Sequence, residues 1–207
     1  MRGEMEIIPV NFRFKGARDY VHGTDMYDQL LPLLMERLTG GTVAALKMTI
    51  RGVMRRQGRL LIESEGQGAS RPDGVKAEFC LTRQKHGIFG WLTEDSREIL
   101  DRYSYDEAPL LALCSVRRNH VALEYNPGYT PIEVLVAMNK LLMETLFPDE
   151  KGKWFFTRLQ LARPLEPGDM EDLVLEHEMS LPGNALTRTR IRSGREGLGS
   201  IFFSAVK

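Results

Sequence analysis

The chain has 207 residues, of which 28 are basic and 28 acidic, giving a formal net charge of +0 at pH 7. This balance argues against a dedicated nucleic-acid-binding protein, which usually carries a basic excess. No apolar run approaches the roughly 18 residues of a membrane span, and the two cysteines form neither a disulfide framework nor a metal site. We therefore expect a globular, cytoplasmic protein whose partners include neither nucleic acid nor membrane.

The predicted elements occur twice in the same order along the chain. In each half, a short extended run precedes an apolar helix that begins at a threonine. A basic strand that is interrupted by a turn, and then a long final strand, follow the helix. The segments are 11–14, 24–38, 43–63 and 75–93, then 121–125, 130–147, 154–179 and 185–206. The repeat predicts two α+β units, at residues 1–95 and 119–207. A linker region at 96–118, with a short helix near 96–102, is expected to join them.

The first helix has irregular sequence signals. Thr24 or Asp25 can begin it, and leucines supply its apolar stripe. Pro32 lacks an amide donor, so a kink or a restart is predicted there. Gly40-Gly41 is expected to end the helix.

The second helix has clear boundaries. Thr130 and Glu133 have the spacing of a capping box, and Pro131 suits the first helical position. Apolar residues cover nearly every face of the segment, which predicts a helix buried almost all round. In the last hairpin, alternation places Arg188, Arg190 and Arg192 on one face of a strand.

The order of these elements resembles the hotdog fold of acyl-thioester dehydratases and thioesterases. Residues 163–169, Arg-Pro-Leu-Glu-Pro-Gly-Asp, are similar to a turn that many hotdog proteins have after their helix. Residues 128–140 resemble the central helix of the β-hydroxyacyl-carrier-protein dehydratases. The resemblance implies an α+β fold of two tandem hotdog units, each with a curved antiparallel sheet wrapped around a long central helix.

The second half departs from the dehydratase pattern at its chemical positions. Val136 stands where that family has a helical carboxylate, and Asn126 is nearest to the place of its catalytic histidine. The first half retains a histidine, His22, directly before its helix. Residues 19–25 also resemble the Asp-x-x-Gly-His segment of hotdog thioesterases, with Gly and His transposed.

The resemblance implies a protein that processes an acyl thioester, either acyl-CoA or an acyl carrier protein conjugate. Dehydration or hydration ranks ahead of hydrolysis, and a non-catalytic acyl-binding or assembly subunit is the alternative. No cofactor and no metal are expected, because no phosphate-binding loop, nucleophile elbow or His/Cys cluster occurs. The chain is expected to be a monomeric double hotdog or a homodimer.

His22 is the leading catalytic candidate, because an imidazole pKa of about 6.5 suits acid–base chemistry near neutrality. Asp19 or Asp25 could orient it. The amides of Gly23 and Thr24, at a helix start, could hold a thioester oxygen as negative charge develops. The simpler alternative is that His22 caps or packs against the helix start.

The remaining candidates are residues for binding the substrate, and each has a simpler explanation. Asn126 and Tyr129 could hydrogen-bond a thioester carbonyl, but Asn-Pro-Gly is commonly just a turn. Glu133 could be an acid but also fits a capping box. Arg51 and Arg55 could bind coenzyme A phosphates or an acidic carrier protein, or belong to a solvated strand face.

Overall fold

The computed structural model describes residues 5–38, 42–64, 71–83 and 86–206. The chain divides into two compact units, Met1–Tyr105 and Asp106–Lys207. The helix end expected at Gly40-Gly41 lies outside the described residues. Among the described residues, no helix is both long and apolar enough to cross a membrane.

The first unit consists of one long helix and an antiparallel sheet. Five of its strands form this sheet in the order β1-β4-β6-β5-β3, while β2 and β7 form a separate parallel pair. The elements are β1 (Glu6–Val10), β2 (Phe14–Lys15), α1 (Gly23–Arg37), β3 (Ala45–Ile50), β4 (Arg56–Ser64), β5 (Val75–Arg83), β6 (His86–Glu98) and β7 (Arg102–Tyr103).

The second unit also has one long helix and an antiparallel sheet, with the strand order β10-β13-β12-β11-β9-β8. Short 3-10 turns occur at Pro167–Met170 and Pro182–Asn184. The elements are α2 (Ala108–Leu111), β8 (Cys114–Arg117), β9 (His120–Leu123), α3 (Pro131–Leu146), β10 (Lys153–Leu161), β11 (Leu173–Ser180), β12 (Thr187–Ser193) and β13 (Glu196–Val206).

The two units share most of the order of elements along the chain but not the order of strands in the sheet. In both, two strands precede the long helix and four sheet strands follow it. In the second unit β11, β12 and β13 pair as consecutive hairpins. In the first unit β6 lies between β4 and β5. Element order is readable from sequence patterns, whereas the neighbours of each strand depend on pairing across the sheet.

Several local predictions were wrong. Of the extended run expected at 11–14, residues 11–13 lie between β1 and β2, and Phe14 is the first residue of β2. No helix forms at 96–102, because β6 continues through Glu98 and pairs there with Arg56. Helix α1 begins at Gly23 and continues through Pro32 without interruption. Packing of its apolar face against the sheet outweighs the loss of one amide donor.

Helix α1 packs closely on β6 because β6 has a glycine at the point of contact. A Cβ atom at Gly90 would lie 2.8 Å from Cδ2 of Leu34. Leu34 is fully buried at this contact, and Leu30, one turn earlier in the helix, is fully buried too. The close approach fixes the helix against the sheet of its own unit.

Helix α3 confirms both predictions made for it. Glu133 accepts a hydrogen bond from the Thr130 amide at 2.9 Å, and Thr130 Oγ1 accepts one from the Glu133 amide at 3.4 Å. Burial extends over nearly all faces of the first three turns. The buried positions are Ile132, Val134, Leu135, Val136, Ala137, Met138, Asn139, Leu142 and Met143.

The turn between β10 and β11 is held by an ion pair. Asp169 is buried and accepts two hydrogen bonds from the Arg163 guanidinium, at 2.8 and 2.7 Å, and one from the Glu166 amide at 2.8 Å. The hydrogen bonds from Arg163 hold the pKa of Asp169 below its usual value. Arg163 and Asp169 therefore define the shape of the turn.

Replacing Asp169 by Asn should lower the free energy of unfolding at pH 7 by about 1.5–3 kcal/mol, because hydrogen bonds to a charged group are lost. The pKa of Asp169 is lower in the folded chain, so its contribution is present above about pH 4 and is lost as pH falls through the folded pKa. Asp169→Asn should therefore flatten the loss of stability on acidification. Urea unfolding at several pH values, with exposed Glu171→Gln as control, measures both effects. Equal behaviour of the two variants would contradict this explanation.

Candidate functional site

A buried lysine lies beside the start of helix α1. The parallel pairing of β2 with β7 places Lys15 opposite Tyr103. The Gly16 amide donates to the Tyr103 carbonyl at 2.9 Å, and positive φ at Gly16 turns the chain after the strand. The Lys15 side chain is fully buried, although lysine is almost never buried without a partner.

The Lys15 ammonium group is held by polar and aromatic partners. Its Nζ donates to Thr24 Oγ1 at 2.9 Å and to Asp25 Oδ1 at 3.3 Å, and it lies 4.1 Å from the ring centroid of Tyr105. The Tyr103 hydroxyl donates to the same Asp25 oxygen at 2.7 Å. Lys15, His22, Thr24, Asp25 and Tyr103 are called the α1 cluster below.

His22 belongs to this cluster through its imidazole ring. It occupies the N-cap position of α1 with an extended backbone, but its side chain makes no capping hydrogen bond. Its Nδ1 instead lies 2.8 Å from Thr24 Oγ1, and the residue is half-buried. The simpler alternative, in which the His22 side chain caps the helix, is therefore wrong. The ring is tied to a buried polar network.

The two carboxylate oxygens of Asp25 differ in their hydrogen bonds. Oδ1 accepts from Tyr103 and Lys15, whereas the buried Oδ2 has no hydrogen-bond partner among the described residues. Buried acceptors in native proteins are normally satisfied by protein, water or a ligand. Oδ2 can therefore accept a hydrogen bond from a hydroxyl group or a water molecule.

The other first-unit candidates lie apart from these contacts. Asp19 is 77% exposed and pairs with Arg55 at 3.5 Å. Arg51 pairs with Glu78 at 2.8 Å. Gly23 is the first residue of α1, next to His22. Of the candidates in this unit, the structure brings together His22, Thr24 and Asp25.

The second-unit candidates make local contacts within that unit. Asn126 Oδ1 accepts from the amides of Gly128 and Tyr129 at 3.1 and 2.9 Å, and its Nδ2 donates to the Tyr129 carbonyl at 2.7 Å. The Tyr129 hydroxyl donates to the Asp106 carbonyl at 2.5 Å. Glu133 takes part in the capping box of α3. These contacts give each residue a structural use at the start of the helix.

Sequence reasoning missed Lys15, Tyr103 and Tyr105. A lysine in a short strand reads as an exposed charge, and the two tyrosines lie in a stretch interpreted as linker. The parallel pairing of β2 with β7 brings these distant segments together. No local pattern in a single sequence announces such a pairing.

Two other kinds of chemistry receive little support in the described part of the chain. Burial raises the pKa of Cys114 to about 11, so it is a protonated thiol at neutral pH and a poor nucleophile. No group of three or more His, Cys, Asp or Glu side chains among the described residues is placed to hold a metal ion.

The sequence matches no family model and no curated protein. Solved structures are similar over nearly their whole length. The dehydratase domain of PpsC from Mycobacterium tuberculosis, in complex with C12:1-CoA, has a TM-score of 0.50 and 6% identity, covering 98% of this chain and 93% of that one. A conserved protein with hot dog fold from Alicyclobacillus acidocaldarius has a TM-score of 0.46 and 9% identity, covering 100% and 95%.

The chain has the fold of the PpsC dehydratase domain. A dehydratase domain of RzxB from Pseudomonas fluorescens is also similar, with a TM-score of 0.46 and 12% identity over 99% of this chain and 95% of that one. At such identities the similarity concerns the fold and not the activity. In the described part of the first unit, the α1 cluster brings buried and half-buried polar side chains together at the start of α1.

Replacing Tyr103 by Phe removes one hydrogen bond to the buried Asp25 carboxylate. We expect the free energy of unfolding to fall by about 1.5–3 kcal/mol, because the bond has a charged acceptor. Tyr125→Phe is the matched control, since Tyr125 is 56% exposed. Urea denaturation of both variants measures the difference. An equally small loss in both would show that the Tyr103 hydroxyl does not support Asp25.

Proposed function

We propose that this protein processes acyl thioesters, supplied as acyl-CoA or on an acyl carrier protein, through the α1 cluster. Dehydration or hydration of a β-hydroxyacyl thioester ranks ahead of hydrolysis. The two units are proposed to be tandem hotdog units of a double hotdog chain. The similar PpsC dehydratase domain, described in complex with C12:1-CoA, agrees with this substrate class.

The observation that carries the proposal is the link from His22 through Thr24 to the buried Asp25. The His22 ring lies 2.8 Å from Thr24 Oγ1, which lies 3.3 Å from Asp25 Oδ1. A histidine oriented by a hydroxyl and a carboxylate is suited to taking up and returning a proton near neutral pH. Asp25 Oδ2, which has no hydrogen-bond partner among the described residues, can accept a hydrogen bond from the water molecule or hydroxyl group that each of these reactions involves.

In the dehydration direction His22 takes the α-proton of the substrate as the carbon–carbon double bond forms. The bond from the β-carbon to oxygen breaks, and the proton on His22 passes to the departing hydroxyl to give water. Hydration is the reverse. The Gly23 and Thr24 amides at the start of α1 are proposed to stabilise the charge on the thioester oxygen.

The other predicted binding residues enter the proposal as supporting contacts. Arg51 and Arg55 are exposed enough to reach a phosphate of coenzyme A, in exchange for their present carboxylate partners. Such surface ion pairs contribute little free energy, so exchanging them costs little. Asp19 is proposed to act on Arg55, while the substrate-binding roles of Asn126 and Tyr129 stay predictions.

A non-catalytic acyl-binding or assembly subunit is the second candidate. Its support is that α3 has Val136, which is buried and apolar, where the dehydratase pattern has a carboxylate. A protein that lacks this carboxylate would bind a thioester without turning it over.

Replacing His22 by Ala should reduce turnover of crotonyl-CoA or a β-hydroxyacyl-CoA by about 10²-fold or more, because the proton carrier is lost. His86→Ala is the control, since His86 is exposed at the start of β6. Absorbance of the enoyl thioester follows the reaction in both directions.

Unchanged turnover in His22→Ala would remove His22 from the mechanism. Saturable binding of acyl-CoA by the unaltered protein, with no turnover over several chain lengths, would favour the binding subunit instead.

A further inference from the structure

We infer that Lys15 and Asp25, acting through Thr24, fix the tautomer of His22 so that Nδ1 has the proton and Nε2 is the basic nitrogen. The inference concerns the hydrogen-bond network of the resting protein. Its catalytic consequence rests on the proposed function, in which Nε2 accepts the substrate proton. Lys15 is then a positioning residue, since it acts on His22 through Thr24.

The donors and acceptors around Thr24 allow a single assignment that uses all three contacts. Lys15 is a donor at 2.9 Å, because an ammonium group has no acceptor site. An ionised Asp25 is an acceptor, so the Thr24 hydroxyl proton points to Oδ1 at 3.3 Å. Thr24 Oγ1 then has one remaining lone pair, and His22 Nδ1 at 2.8 Å must donate to it.

The assignment takes Asp25 as a hydrogen-bond acceptor, and the groups that contact its Oδ1 are donors. The Lys15 ammonium lies 3.3 Å away, and the Tyr103 hydroxyl donates to Oδ1 at 2.7 Å. Oδ1 therefore accepts from an ammonium group and from a phenol, in addition to the Thr24 hydroxyl. The Tyr105 ring, 4.1 Å from Nζ, stabilises the cation on its other side.

Fold stability alone is a weak explanation for this arrangement. Burying an ammonium and a carboxylate costs solvation free energy that their attraction often fails to recover, and apolar replacements of buried pairs are often neutral or stabilising. Lys15 and Asp25 are 0% and 8% exposed. The arrangement is better explained by the direction it gives to the Thr24 hydroxyl. Because Thr24 also contacts His22, the direction of its hydroxyl proton decides whether His22 Nδ1 donates or accepts.

Removing Lys15 should reverse the chain of hydrogen bonds. Without the ammonium group Thr24 Oγ1 and Asp25 Oδ1 lose the donor that they share. The Thr24 hydroxyl can then turn its proton to His22 Nδ1 at 2.8 Å, which is nearer than Asp25 Oδ1 at 3.3 Å. The proton of the imidazole would move to Nε2, and the ring would lose its basic nitrogen at that position.

The tautomer is measured by nitrogen NMR of the histidine rings at a pH where His22 is neutral. Long-range proton–nitrogen correlations distinguish a protonated from an unprotonated ring nitrogen, and His22→Gln identifies the His22 signals among the four histidines. We expect a protonated Nδ1 and an unprotonated Nε2 in the unaltered protein. A protonated Nε2 would overturn the inference.

Three substitutions and one control test the network itself. Lys15→Met and Thr24→Val should shift His22 toward the Nε2-protonated tautomer, whereas Thr24→Ser should retain the original tautomer because it keeps the hydroxyl. Lys47→Met is the control, since Lys47 is exposed on β3. If Lys15→Met fails to fold, the comparison of Thr24→Val with Thr24→Ser decides. An unchanged tautomer in Thr24→Val would contradict the inference.

Turnover measurements test the proposed catalysis separately from the hydrogen-bond network. Turnover of a β-hydroxyacyl-CoA should fall by about 10²-fold in Thr24→Val and recover in Thr24→Ser. The predicted tautomer without any turnover in the unaltered protein would leave the network standing and overturn the proposed catalysis. Turnover together with a protonated Nε2 would overturn the network and leave the proposed function standing.

Discussion

The ion pair between Lys15 and Asp25 is the interaction on which the first unit's helix start depends. Two opposite charges are buried 3.3 Å apart, and each needs further partners because water is excluded. The parallel pairing of β2 with β7 supplies them by placing Tyr103 opposite Lys15. The same short strand pair thus positions a cation, a phenol and the turn that leads to His22.

The two long helices begin in chemically different ways. Helix α3 has a capping box formed by its own Thr130 and Glu133, preceded by a turn that Asn126 closes. At α1 the N-cap residue is His22, whose side chain makes no capping hydrogen bond and contacts the Thr24 hydroxyl instead. A helix start that is capped by its own side chains suits a structural role. A start surrounded by a buried ion pair and an imidazole suits proton transfer.

Much of the fold could be predicted because its signals are local. The capping box, the buried face of α3 and the arginines alternating along β12 depend on residues close in sequence. The strand order of the first unit could not be predicted, since pairing of β4 with β6 is decided across the sheet. In the α1 cluster, His22, Thr24 and Asp25 could be predicted from the sequence because they are close neighbours in the chain. Lys15 and Tyr103 were not, because β2 and β7 lie far apart in the sequence.

Binding of an acyl thioester at the α1 cluster can be measured by titrating the labelled protein with a non-reactive acyl-CoA analogue, using coenzyme A without an acyl chain as the control. We expect saturable NMR shift changes at His22, Thr24 and Tyr103 that require the acyl group. Saturable binding that leaves these three residues unshifted would contradict it.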